Sequence, residues 1–255
     1  MYTMIFDTET TDLNKCFCYN IGFTILNTDT MEIVLKEDYV VEQVWHNLPL
    51  FQSAYYADKR PIYVSRMKGK KASLRKFGQI TRRMYQLIKD YSIEYAYAYN
   101  SKFDEKVFDY NCDWFKCINP FDTVEVLDIR GLVHSKVAFT EDFKNFCDTH
   151  EEYTDSGNYS TTAQTLFRYF TNDSDFEEEH TALSDSIIET EILCECIRRG
   201  CEFGQAYKVY NSIPKECKKE VAIIERNQHG AETITIITYK KMRINKKKSE
   251  IVLDI

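Results

Sequence analysis

Residues 2–8 run almost continuously apolar up to Asp7, the pattern of a strand buried on both faces. Residues 20–26 and 31–41 read as two further strands, joined by the turn residues NTDT at 27–30. Residues 45–73 show no clean period and read as an insertion, partly helical. From 74 to 91 the apolar positions Leu74, Phe77, Ile80, Met84, Leu87 and Ile88 recur at helical spacing. A short strand is predicted over 94–99, a helix from about 102 to 110, and a strand running into a helix over 122–129. Helices are also predicted over 140–149, 161–170 and 181–199, the last stopping at Gly200, a residue favoured just past helix ends. After that the pattern changes. Residues 221–224, 232–239 and 250–253 read as short strands, with His229 and Gly230 in the first turn. The expected organisation is a domain over 1–200 and a helix/β appendage over 201–255.

Composition narrows this picture. The 255 residues are 44% hydrophobic and 29% charged, with only 8 Gly and 4 Pro, so an ordered domain is expected rather than linkers or disorder. No apolar run approaches the roughly 20 residues that span a bilayer. Residues 1–13 lack the basic stretch and apolar run of a secretory leader. A soluble cytoplasmic protein with no membrane partner is therefore expected. The nine cysteines form no CxxC pair, so reduced thiols are expected rather than a zinc site or disulfide framework. High Asn, Lys and Tyr with sparse Gly and Pro point to an AT-rich or viral genome, and so to action in a host cytoplasm.

The net charge of −7 argues against a nucleic-acid partner until its distribution is considered. Between Lys59 and Arg83 the chain carries ten basic residues and no acidic one, including Lys68, Lys70 and Lys71. A second basic run lies at Lys240, Lys241, Arg243, Lys246, Lys247 and Lys248, and acids concentrate in DSDFEEEH at 173–180. The first run is either a solvated loop or a surface that neutralises several phosphates. Its interleaved Phe51, Tyr55, Tyr56 and Tyr63 suit base stacking along a single strand.

Four acids and one histidine are the candidate chemistry. Asp7 and Glu9 stand two apart at the end of a strand and so share one face, where open α/β sheets place ligand sites. An ordinary acidic turn is the alternative. Asp104 opens a helix after the strand AYAYN, and Ser101 to Asp104 has the spacing of a helix-capping box. Asp185 lies three, seven and eleven residues before Ile188, Ile192 and Cys196, on their buried helical stripe. A carboxylate there needs a cation or several hydrogen bonds, from a basic side chain or a metal. His180 stands five residues earlier, and as a lone histidine it is either unremarkable or a general base.

Together these pieces resemble the DEDD exonucleases of the ribonuclease H-like fold, in their His subclass. DTET at 7–10 is similar to the first motif. NSKFD at 100–104 matches the second, N-x-x-F-D, and HTALSD at 180–185 the third, H-x-A-x-x-D. The Tyr subclass wants Tyr where this chain has Thr181. The match covers roughly residues 1–200; the insertion and the tail have no counterpart.

The resemblance implies an α/β domain with a mixed five-stranded sheet flanked by helices, plus the basic insertion and the small C-terminal appendage. It implies a 3′-5′ exonuclease that releases nucleoside monophosphates from the free 3′ end of single-stranded DNA or RNA. Asp7, Glu9, Asp104 and Asp185 would hold two Mg²⁺ or Mn²⁺ ions, with His180 as general base active above about pH 6.5. Thr8 and the backbone near Glu9 would contact the terminal nucleotide, Phe103 would pack beneath the site, Asn100 would bond the substrate's end or brace Asp104, and Lys68, Lys70 and Lys71 would guide the strand. The alternative is a nucleic-acid-binding or proofreading subunit partnered by replication or repair proteins.

Overall fold

The computed structural model describes residues 1–215 and, as backbone, the strands Cys217–Arg226 and Glu232–Lys241. Strands β1 (Tyr2–Thr10), β2 (Cys18–Asn27) and β3 (Glu32–Val41) form an antiparallel meander, with the sharp turn at 27–31 where the sequence predicts it. The insertion follows as α1 (Glu42–Trp45), α2 (Leu48–Gln52), a 3-10 turn (Ala57–Lys59) and α3 (Arg60–Lys68). Next come β4 (Ser73–Arg75), α4 (Phe77–Asp90), β5 (Tyr95–Ala98), α5 (Ser101–Phe115), β6 (Glu125–Asp128) and α6 (Ile129–Lys136). Helices α7 (Glu141–His150), α8 (Ala163–Thr171) and α9 (Ala182–Arg198) complete the domain.

The sheet order is β4-β3-β2-β1-β5-β6, with β5 and β6 parallel to β1. This is the expected mixed, ribonuclease H-like α/β arrangement with one strand more. Leu74 and Arg75 do not begin the following helix: they pair in parallel with Val40 and Val41 on the free edge of β3. The helix starts only at Phe77. Helical periodicity includes Leu74 because a single apolar residue cannot reveal whether a sheet edge lies beside it.

Alternation along β1 splits the interior in two. Met4 and Phe6 join one apolar cluster, with Ile80, Met84, Val107, Phe108 and the insertion's Phe51 and Tyr63. Ile5 joins the other, with Leu132, Val133, Leu166, Ile188, Ile192 and Leu193. Each layer is a core face, so β1 is apolar on both sides, as its composition requires. The alternation also directs Asp7 and Glu9 to the α9 side, in phase with Ile5.

The chain does not leave this domain at Gly200. The Tyr97 hydroxyl accepts from the Gly204 N–H at 2.7 Å, the His134 Nδ1 accepts from the Tyr210 N–H at 2.9 Å, and Cys201 and Ile213 are core residues. β7 (Cys217–Arg226) and β8 (Glu232–Lys241) form a separate antiparallel pair, in register at Val221 and Ile237. The predicted strand at 250–253, the turn at 229–230 and the basic residues from 243 to 248 lie outside the described residues. No helix among the described residues is long and apolar enough to cross a membrane. Eight cysteines are free thiols there, most of them buried.

Candidate active site

The site forms where three elements converge at the C-terminal end of β1. In the antiparallel register, Glu9, Asp7 and Ile5 face Asn20, Gly22 and Thr24 of β2. Those three β2 residues are the seat of α9. A β-carbon on Gly22 would lie 2.0 Å from the Leu183 nitrogen and 2.2 Å from the Ala182 carbonyl carbon, so only glycine lets the helix backbone come this close. The Asn20 side-chain oxygen accepts from the Ala182 N–H at 2.8 Å, satisfying a donor of the first helical turn. The Thr24 and Thr190 hydroxyls meet at 2.7 Å. This seating sets the first turns of α9, and Asp185 with them, against β1.

The result is a carboxylate cluster. Asp7, Glu9 and Asp185 each offer an oxygen within 4.8 Å of the others, close enough to share a cation. Asp104 stands beside them at the start of α5. Its Oδ1 accepts from the Thr8 hydroxyl at 2.7 Å, a buried bond across the sheet end. The Ser101 hydroxyl donates to Glu105, and α5 begins from Asn100 in the left-handed region without a side-chain cap. The S-x-x-D spacing is therefore not a capping box: the Asp104 carboxylate turns inward to β1 instead.

Electrostatics show what the cluster lacks. Burial, then the charge of Glu178, pushes the Asp7 carboxyl up to about 7. Burial, then Asp7, Glu178 and Glu9, pushes Asp185 up to about 10, against the lowering effect of Lys59. Burial and the charge of Asp7 also hold Glu9 and Asp104 well above the ordinary carboxylate range. The Asp185 Oδ1 is buried with no hydrogen-bond partner. Packed carboxylates raised this way are poised to hold cations, and a set of hard oxygen donors fits Mg²⁺ or Mn²⁺.

Two further acids belong to this neighbourhood and sequence reasoning missed them. Glu189, one turn beyond Asp185, is buried, accepts the Tyr99 N–H at 3.3 Å, and is raised by burial and then by Asp7, Asp104 and Asp185. Its i+4 spacing from Asp185 was the available signal. Glu178 closes the other side. Burial raises its carboxyl, and its Oε1 is buried without a partner. Nothing local distinguishes it from its neighbours in the acidic run.

His180 sits in the segment entering α9, in the left-handed region at φ 51°. Its Nδ1 lies 3.6 Å from Glu178 Oε2, and its ring stacks on Tyr56. Burial, then Lys59, lowers its pKa from the usual histidine value. Phe103 is half-buried against the first core cluster. Asn100 is exposed; its side-chain oxygen accepts from Arg130 at 3.3 Å, beside a groove of about 430 Å³ lined also by Thr154, Ser156, Asn158 and Thr161. Lys68, Lys70 and Lys71 are exposed at the end of α3 and the turn after it, and none contacts the cluster. The structure thus draws Asp7, Glu9 and Asp185 together, holds Asp104 next to them through Thr8, sets His180 on the segment that enters α9, and gives the three lysines no hydrogen bond or ion pair to the cluster.

No protein-family model matches this chain, and no curated protein does. Its fold is similar to solved structures. One is E. coli Exonuclease I in complex with a dT13 oligonucleotide: 12% identity, 78% of this chain and 41% of that one covered, TM-score 0.51. Another is the nuclease domain of 3′hExo, a DEDDh family member bound to rAMP: 14% identity, 83% and 97% covered, TM-score 0.50. A third is a 3′-exonuclease with 3′-end specific recognition of histone mRNA stem-loop: 16% identity, 84% and 72% covered, TM-score 0.50. The chain spans about two fifths of the length of Exonuclease I. The fold is the ribonuclease H-like α/β arrangement that the motifs implied, and these solved exonucleases share it.

Proposed function

We propose that this protein is a 3′-5′ exonuclease that hydrolyses phosphodiester bonds at the 3′ end of single-stranded DNA or RNA with the help of divalent cations. The observation that carries the reading is the half-buried cluster of Asp7, Glu9 and Asp185, with Asp104 beside it and an unpartnered oxygen on Asp185. Asp7, Glu9, Asp104 and Asp185 would hold two Mg²⁺ or Mn²⁺ ions. When bound, such ions neutralise the acids and supply Lewis acidity for attack and departure at phosphorus.

The chain's own residues do the rest. Thr8 braces Asp104, and the backbone beside Glu9 faces the terminal nucleotide. The neutral His180 imidazole takes the proton of the attacking water at Nε2, the nitrogen turned away from Glu178. Asn100 and the polar groove next to it receive the sugar-phosphate, Phe103 packs beneath, and Lys68, Lys70 and Lys71 draw the strand in by charge. The exposure of these lysines supports that role, as does the absence of any ion pair to them among the described residues.

The deciding experiment is a digestion panel of single-stranded DNA, duplex DNA and RNA, each blocked or free at either terminus, with Mg²⁺, Mn²⁺ or EDTA. Divalent-dependent release of mononucleotides from free 3′ ends is expected. Binding without shortening in every lane would leave a nucleic-acid-binding subunit instead, and cleavage of circular strands an endonuclease.

A further inference from the structure

The insertion between β3 and α4 meets the site's edge at the segment carrying His180. Tyr56 lies face to face on the imidazole, ring centroids 4.6 Å apart and planes 13° from parallel. Lys59, at the end of the 3-10 turn that follows Tyr56, donates from its ammonium to the Glu179 carbonyl. Arg66 on α3 fixes the other side. It bonds Asp38 on β3 at 2.8 Å, the Glu179 carboxylate at 3.1 Å and the Thr181 hydroxyl at 3.4 Å. The residues before and after His180, and its ring, are thus all held by insertion residues.

His180 needs such holding. A non-glycine residue in the left-handed region is strained and persists only where its surroundings over-determine it. The cap of α9 does not supply that: the Thr181 side chain makes no capping bond to the helix. Without Tyr56 only the 3.6 Å approach of Glu178 to Nδ1 remains to orient the imidazole, and a general base that turns away from its water is out of reach of the proton.

We infer that Tyr56 is a positioning residue for His180, and that Lys59 and Arg66 clamp the same segment, so that the insertion sets the geometry of the base. This rests on the reading of His180 as that base. It also divides the insertion's basic residues by role: Lys59 and Arg66 are internal ties, while Lys68, Lys70 and Lys71 stay free for phosphates.

The test uses the full chain, a labelled single-stranded oligonucleotide and Mg²⁺, with Tyr56→Ala and Tyr56→Phe. The alanine variant is expected to lose about tenfold to a hundredfold in kcat with KM held within about twofold, and phenylalanine to restore the rate. A second measurement needs no activity. In Mg²⁺-free protein with labelled histidines, the His180 ring protons, assigned with His180→Gln, are expected to be shifted upfield by the Tyr56 ring current. The shift is expected to vanish in Tyr56→Ala and to persist in Tyr56→Phe. Unmoved His180 resonances, or a tenfold rise in KM at unchanged kcat, overturn the proposal; the latter marks Tyr56 as a base-stacking contact. A His180→Ala variant at the wild-type rate sinks the general-base reading, whatever the ring-current result.

Discussion

Asp185 is one of the carboxyls that burial and its neighbours' charges disfavour in the site, and its removal has two opposite consequences. Its carboxyl is raised to about 10, so at neutral pH without cations it stays protonated or destabilises the fold. In Asp185→Asn we expect metal-free thermal stability equal to or above wild type, by up to several degrees, while Mg²⁺-induced stabilisation disappears and activity falls by at least about a hundredfold. Differential scanning fluorimetry with and without Mg²⁺ checks this. The pH dependence has a definite sign. Folded-state carboxyls raised above their unfolded values bind protons that the unfolded chain has released. Metal-free stability therefore falls as pH rises from about 4 through 7, the Asp7 window. The Mg²⁺-induced gain in Tm should be larger at pH 8 than at pH 5.5. His180 moves the activity limb the other way. Its lowered pKa keeps the imidazole neutral below pH 6.5, so the acidic fall in kcat should come lower than a free histidine would place it. A pH–rate profile of wild type against His180→Asn measures that limb, and the variant should lose about a hundredfold or more.

Helix α9 and strand β2 show what a sequence reveals and what it hides. The helix, its buried stripe and the place of Asp185 on it were legible, because an interrupted apolar period is a local signal. The motif acids read singly as a turn, a cap or a salt-bridged acid, and only the resemblance of their three motifs to the DEDD exonucleases joined them into one set. The seat beneath the helix was not legible. Asn20, Gly22 and Thr24 read as an ordinary strand, since a sequence does not state which face of a strand will receive a helix backbone. Glu178 and Glu189 were hidden likewise, one in a run of acids and the other on a helix already accounted for. Gly22→Ala tests the seat: its methyl has no room against Ala182 and Leu183. We expect a loss of about 1–3 kcal/mol or more in chemical denaturation, with weaker Mg²⁺ binding by calorimetry because Asp185 moves away from Asp7. β4 was missed on the same ground, its pairing being a property of the β3 edge rather than of residues 73–75.

Across the whole molecule, charge is sorted by position rather than by sum. Acids fill the pocket at the end of β1, and the free lysines stand outside it on the insertion. Replacing Lys68, Lys70 and Lys71 together with alanine should weaken single-strand binding and flatten its dependence on log salt by about two to three units, with kcat at saturating substrate unchanged; fluorescence anisotropy across a salt series measures it. The tail is divided too. Because Cys201, Phe203, Tyr207 and Ile213 pack on the second core cluster, a chain cut after 200 should lose several degrees in melting temperature. The seat of α9 on β2 also orders events in time. Asp185 on α9 follows Asp7 on β1 by some 180 residues, so the pocket closes only through contacts of very long sequence separation. A chain in which α9 has not yet docked on β2 therefore carries half a pocket, so the cation site and the tertiary fold are completed together.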